Sequence, residues 1–266
     1  MNAFEKTDTR ALATAVQLLE HPGLMVRIAH LAGSPIEKGF ELMPLDWRER
    51  VGRATSSALK KSLAVAVRSL GSDRKDIEFS NRWHKVVVTA SGAASGALGL
   101  AALALELPVT TTIMLRSIAR IARSEGQDID AMETRLECLE VLALGVGERD
   151  GAAAENGYWA VRAAMARAIS EAASFIAERG FVEEGAPPLI RLVAAVASRF
   201  GVIVSEEAAA KAIPLIGAFG GGAVNYLFLD HFQNMATGHF TIRRLEQKYG
   251  DAAVKREYER IAALAG

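Results

Sequence analysis

Apolar positions in this chain recur at intervals of three and four, the repeat of a helix with one buried face, and helix-start and helix-stop residues punctuate them. Asp46 with Glu49 three residues later matches the capping-box pattern. Trp47, Val51, Ala54, Ala58, Leu63, Val67 and Leu70 then keep helical spacing up to Gly71. This is the first strongly patterned helix, and residues 1–45 ahead of it read as an N-terminal helical arm on a domain spanning 46–266. Pro108 suits a first helical position, with Ile113, Leu115, Ile118 and Ile121 following before Gly126. Asp130 with Glu133 opens a helix through Leu136, Leu139, Val141 and Leu142 to Gly145, and a longer one runs from Ala152 to Arg179 and stops at Gly180. The stretch 182–188, with Pro187 and Pro188, breaks the period and reads as an internal linker. Beyond it the pattern predicts a helix from Leu189 to Phe200, a short extended piece at Val202-Ile203-Val204, and a helix opened by Ser205. Charged helices follow from Asn225 to Tyr249 and from Asp251 to Leu264. The expected fold is all-α, a multi-helix bundle.

Two segments depart from amphipathic patterning. Residues 86–105 and 212–229 carry no charge over 20 and 18 residues, lengths that reach the threshold for crossing a bilayer. Their content is small rather than bulky, with Gly92 four residues before Gly96 and Gly217 four before Gly221. Such spacing opens a groove in which another helix backbone approaches closely, in a membrane or in a protein core. Both environments stay open at this point. In either, these are expected to be two central, Gly- and Ala-rich apolar helices, in a chain with 48 alanines and 23 glycines.

Charge narrows the partners. With 31 basic and 31 acidic residues the chain lacks the net positive charge of a dedicated nucleic-acid binder, and one cysteine excludes an internal disulfide and suits a reducing cytoplasm. No basic start followed by an apolar run marks a secretory leader, so a cytoplasmic location is expected. Charge is uneven locally. Residues 46–70 hold Arg48, Arg50, Arg53, Lys60, Lys61 and Arg68 against Asp46 and Glu49 only, and a basic amphipathic helix can lie on an anionic membrane surface.

Catalytic motifs are sparse. Gly145-Val146-Gly147 begins like a dinucleotide fingerprint but has Asp150 where the third glycine belongs, and Gly92-Ala93-Ala94-Ser95-Gly96 puts its serine one position late for a nucleophile elbow. His21, His30, His84, His231 and His239 show no helical pairing, so no metal site is expected. Cys138 reads as a small buried hydrophobe. One set of polar residues could converge: if the two uncharged segments pack side by side, Glu106, Asn225, Asp230 and His239 would gather near Arg116. Buried charges are costly unless paired, so such a group is either a set of helix-end salt bridges and caps or an ion or substrate site.

Two blocks of sequence carry a resemblance. Leu105-Glu106-Leu107-Pro108-Val109-Thr110-Thr111-Thr112-Ile113-Met114-Leu115-Arg116-Ser117-Ile118-Ala119, continuing to Leu142-Ala143-Leu144-Gly145, resembles the middle of the bacterial EcsC family. So does Ile213-Pro214-Leu215-Ile216-Gly217-Ala218 with Asn225, Asp230, His239-Phe240, Arg244-Leu245-Glu246 and Lys248-Tyr249-Gly250. The similarity spans roughly residues 45–250. It implies a helical architecture and, through the family's name, an association with ABC-transporter genes; it implies no reaction. Glu106 stands where members often carry Asp, keeping the carboxylate and changing its reach.

The expected function is a non-enzymatic helical accessory protein on the cytoplasmic side, associated peripherally or by a hairpin with an anionic membrane surface or a membrane transporter complex. Two alternatives stay open: a hydrolase or metal-dependent enzyme built on Glu106, Arg116, Asp230 and His239, and a soluble bundle that self-associates as a homo-oligomer. No cofactor is assigned.

Overall fold

The computed structural model describes residues 4–20, 37–70, 100–145, 157–181, 185–213 and 221–265. Among these the backbone is all-α, without a strand. The helices are α1 (Lys6–Glu20), α2 (Glu37–Glu41), α3 (Trp47–Ser69), α4 (Leu100–Ser124), α5 (Met132–Glu140), α6 (Tyr158–Arg179), α7 (Pro187–Ala212), α8 (Gly221–Tyr249) and α9 (Asp251–Ala265). A single 3-10 turn at Val141–Ala143 extends α5. Gly92, Gly96 and Gly217, with residues 86–99 of the first uncharged segment and 214–220 of the second, lie outside the described residues; Gly221 is the first residue of α8.

The core forms where α3, α4, α7 and α8 meet. α3 packs along α4 and against α7, α8 lies against α4 and α1, and α5 packs against α6, α3 and α4. Phe200 of α7 meets Phe228 and Phe232 of α8 with ring centroids 6.2 and 5.6 Å apart, and the latter pair is edge-on at 5.3 Å. All three are fully buried. Edge-to-face packing of this kind adds to area burial because the ring edges and faces carry opposite partial charge. α1 joins the core through Leu12, Ala15 and Val16, and it approaches α8 so closely at Gly238 that a Cβ there would strike Leu19. The spacing of residues 12, 15, 16 and 19 is what makes α1 amphipathic.

Helix stops fall where glycine was expected to put them. Gly126, Gly145, Gly180 and Gly250 all have positive φ, the conformation in which a Cβ clashes with the backbone. At Gly145 the constraint is doubled, because a side chain would also collide with His231 and Met235 of α8.

Four local expectations differ, the first being that α5 has Ala131 at its N-cap and no side-chain capping bond, so Asp130 does not open it. Pro108 lies inside α4 and does not start it, although it cannot donate to the carbonyl four residues earlier. The threonines that follow turn back on the same stretch, with Thr110, Thr111 and Thr112 Oγ1 donating to the carbonyls of Glu106, Leu107 and Pro108. The extended piece at 202–204 is instead continuous α7, and Ser205 donates to the Gly201 carbonyl at 2.6 Å and does not cap a new helix. Burial outweighs β-propensity there, since Ile203 and Val204 face the core. Asp46 precedes α3 but makes no capping bond; its carboxylate accepts from Arg50 Nε at 2.7 Å.

By length and composition α7 could cross a membrane. Its C-terminal half is buried within the bundle, however, and carries Glu206, Glu207 and Lys211. A half-helix sheltering ionisable groups needs partners for them, and those of Glu207 and Lys211 define the first polar group below.

Candidate functional site

Among the described residues, two of the places where charge is buried gather several ionisable groups, and both are anchored on α8. The first sits where the N-terminal part of α8 meets α4 and the end of α7. Lys211 Nζ lies 2.9 Å from Glu207 Oε1, one turn back on α7, and 3.2 and 3.3 Å from the two carboxylate oxygens of Glu106 on α4. Asn225 Nδ2 donates to Glu106 Oε1 at 2.7 Å. The side chains of Glu106, Glu207 and Lys211 are 8%, 3% and 11% exposed. Burial works against the Lys211 ammonium, but Glu207 and Glu106 outweigh it and hold the proton more firmly than in water. Glu207 is pushed upward by the same burial, only partly offset by Lys211. The result is a compact ion group tying three helices together.

Of the five residues singled out from sequence, Glu106 and Asn225 meet directly. Asp230 accepts a hydrogen bond from Asn234 on its own helix at 3.2 Å. Arg116 is half-buried on α4, ten residues beyond Glu106 or about 15 Å of helix rise. His239 is fourteen residues beyond Asn225 on the unbroken α8, about 21 Å along its axis, and belongs to the second group.

That group is built on one stripe of α8, His239, Arg243 and Glu246, facing Glu137 and Glu140 of α5 and Tyr158 and Arg162 of α6. His239 is fully buried, and its Nδ1 is 3.2 Å from the Tyr158 hydroxyl. Arg162 donates to the same hydroxyl at 3.4 Å and grips Glu246 with both terminal nitrogens, at 2.7 and 3.0 Å. Arg243 reaches Glu137 at 3.0 Å and Glu246 at 3.3 Å. Trp159 stands edge-on to Tyr158 with centroids 5.1 Å apart, and the Arg162 guanidinium lies 5.6 Å from the Tyr158 ring and 5.2 Å from that of Trp159. Tyr258 of α9 stacks on Tyr158 at 5.7 Å.

Ionisation here is displaced in opposite directions. Burial pushes the Glu140 carboxyl up to about 8, against the pull of Arg162, so it carries its proton at neutral pH. Burial, reinforced by Arg162 and Arg243, drives His239 well below the ordinary imidazole range and keeps it neutral. Burial also raises Glu137, against Arg243. A neutral acid and a neutral imidazole flanked by two guanidiniums resemble the environments that enzymes and ligand sites use to set protonation.

The sequence pattern that marks this group is the i, i+4, i+7 spacing of His239, Arg243 and Glu246, matched by Glu137 with Glu140 and Tyr158 with Arg162. Each set shares one helix face. Lys211 and Glu207, missing from the sequence reading of the first group, are likewise an i, i+4 pair. Among the described residues no three His, Cys, Asp or Glu side chains are placed to share a metal ion.

The six basic residues of α3 are all exposed. Arg50 and Arg53 pair with Asp46 and Glu49 one turn back, and Arg68 lies over the Phe181 ring at 5.1 Å. Cys138 is fully buried, and burial pushes its thiol upward, away from nucleophilic use.

The chain belongs to the EcsC protein family, whose model matches residues 29–245. No curated protein and no solved structure matches the chain.

Proposed function

We propose that this member of the EcsC family is a non-enzymatic helical accessory protein that docks on the anionic cytoplasmic face of a membrane, alone or beside a transport complex, using the outer surface of α3. One observation carries the reading. Arg50, Arg53, Lys60, Lys61 and Arg68 share the solvent side of a helix whose other side is buried by Val51, Ala58, Leu63 and Ala66. At its start, Leu45 and Leu42 are 105% and 57% exposed, next to the half-buried Trp47 with the Arg48 guanidinium 5.5 Å from its ring. Cationic side chains over a phosphate-rich surface contribute about 1 kcal/mol each, and exposed leucines beside an indole suit the headgroup boundary. Lys60 and Lys61 have no acidic partner among the described residues, so their charge is available to a surface.

The test is co-sedimentation of the full chain with vesicles of phosphatidylcholine alone or with phosphatidylglycerol added. Binding should require the anionic lipid and fall steeply between low salt and about 0.5 M salt, where the screening length shrinks to a few ångströms. Lys60→Glu with Lys61→Glu should abolish it, and Leu45→Ser should weaken it. A chain that stays in the supernatant with anionic vesicles at low salt refutes the reading.

A further inference from the structure

We propose that the buried group between α5, α6 and α8 is a binding site for a small oxyanion, a phosphate or carboxylate group, held by His239, Glu140, Trp159 and Arg243 at the N-terminus of α6. This does not rest on membrane docking, which uses the outer face of α3.

The argument begins with hydrogen-bonding capacity. His239 is fully buried and Glu140 is 4% exposed, yet among the described residues His239 Nε2 and Glu140 Oε1 have no hydrogen-bond partner. Neither do the buried Nε1 of Trp159 and Nε of Arg243. Leaving such atoms dry and unpaired is costly, and buried polar groups are normally satisfied. These four also share a chemical sense. The indole and guanidinium Nε atoms can only donate. Because Arg162 already donates to the Tyr158 oxygen, we assign the phenol proton to the bond with His239 Nδ1, which places the imidazole hydrogen on Nε2. Glu140, protonated at neutral pH, offers an O–H. Three N–H donors and a carboxylic acid able to turn its O–H towards them can complement an oxyanion.

Two further features point the same way. Tyr158 and Trp159 are the first two residues of α6, a helix of 22 residues whose N-cap, Gly157, supplies no side-chain bond to the first-turn amides. Those amides and the helix dipole favour negative charge. The edge of the group is cationic as well: Arg162 and Arg243 are 18% and 29% exposed, and Lys255 of α9 stands 5.8 Å from the Trp159 ring. Glu246 and Glu137 neutralise the two guanidiniums without occupying Arg243 Nε, so that donor remains directed elsewhere. A single ordered water accepts at most two hydrogen bonds and would leave the other donors unsatisfied.

The experiment is calorimetric titration of the full chain with inorganic phosphate and, separately, with acetate at pH 7. Saturable binding of either supports the site, and binding of phosphate alone assigns it to a tetrahedral anion. Trp159→Phe keeps the ring and loses the N–H, and His239→Phe keeps an aromatic side chain and loses the ring nitrogens. Each should weaken binding by about tenfold or more with the helical circular dichroism unchanged. Lys60→Ala with Lys61→Ala should leave it intact, separating this site from the α3 surface. Affinity should also fall above pH 8, as Glu140 loses its proton beside Glu137 and Glu246 while Arg162 and Arg243 stay charged and Tyr158, Tyr258 and His239 stay neutral. Absence of saturable heat with both anions, or equal binding by the wild type and both aromatic variants, overturns the proposal.

Discussion

Helix α8 passes through two buried polar groups about four turns apart, and they solve the same electrostatic problem in different ways. At Lys211 one ammonium is shared by two carboxylates, with an amide completing Glu106, so the ions answer one another over 2.7–3.3 Å. At His239 the ions also pair, Arg162 with Glu246 and Arg243 with Glu137, but neutral groups are added that the pairs do not satisfy. The first arrangement fastens helices. The second leaves directed hydrogen-bonding capacity in a dry interior, which stability alone does not require and ligand recognition does.

If Lys211 is the fastener, removing it should produce the largest effect. Lys211→Met leaves Glu106 and Glu207 buried without their cation, and breaking a buried ion group in this way costs about 3–5 kcal/mol. The loss should be smaller at pH 5 than at pH 8. Glu207 already sits above its ordinary range, so its stabilising contribution is present when protonated and fades as pH rises through its folded-state value. Denaturant unfolding at the two pH values checks both statements. A change under about 1 kcal/mol at pH 8 would show that the group is not closed in the way its distances indicate.

Glu140 supplies the next test, on the open side of the comparison. Its folded-state carboxyl titrates near 8 and an unfolded one near 4.5, so the folded state holds a proton that the unfolded state has released between these values. Stability from this group is complete below about pH 4.5 and declines as pH rises towards 8, at most by about 1.4 kcal/mol per pH unit. Glu140→Gln keeps the shape and a donor and removes the titration. Its stability should therefore change less than that of the wild type between pH 5 and 8 and exceed it at the upper end. Parallel pH profiles for the two proteins would mean that Glu140 is solvated and that the group is not dry.

How far these groups were legible in the sequence follows from what each depends on. Helix ends were readable because they are local: glycine at 126, 145, 180 and 250 permits a backbone turn that other residues resist. The order of elements in α8 and α9 followed from periodicity alone. α7 was not legible as one helix, because Val202-Ile203-Val204 has strand propensity and only burial against other helices reverses it. Glu106, just past one uncharged run, and Asn225, inside the other, were both in the set expected to gather near Arg116 and do meet across 119 residues, whereas Lys211 looked like a boundary charge. The His239 group was hidden for a different reason. Its members come from three helices whose registers relative to one another are set by packing, and no spacing within one helix reveals that Tyr158 meets His239 across 81 residues.

The smallest expected effect tests whether that last contact organises the open group. Tyr158→Phe preserves the ring that stacks on Tyr258 and meets Trp159, and deletes only the hydroxyl between His239 Nδ1 and Arg162. The buried Nδ1 is then unsatisfied, a cost of about 1–2 kcal/mol in unfolding experiments. Loss of the hydroxyl also frees the imidazole to move its hydrogen to Nδ1, which would turn Nε2 from a donor into an acceptor. Nitrogen chemical shifts of His239 report this directly: the wild type should show the hydrogen on Nε2 at pH 7, and Tyr158→Phe should show a mixture of both forms. If wild-type His239 already carries its hydrogen on Nδ1, Nε2 faces the site as an acceptor. The uniform donor character that separates the two ends of α8 would then be lost.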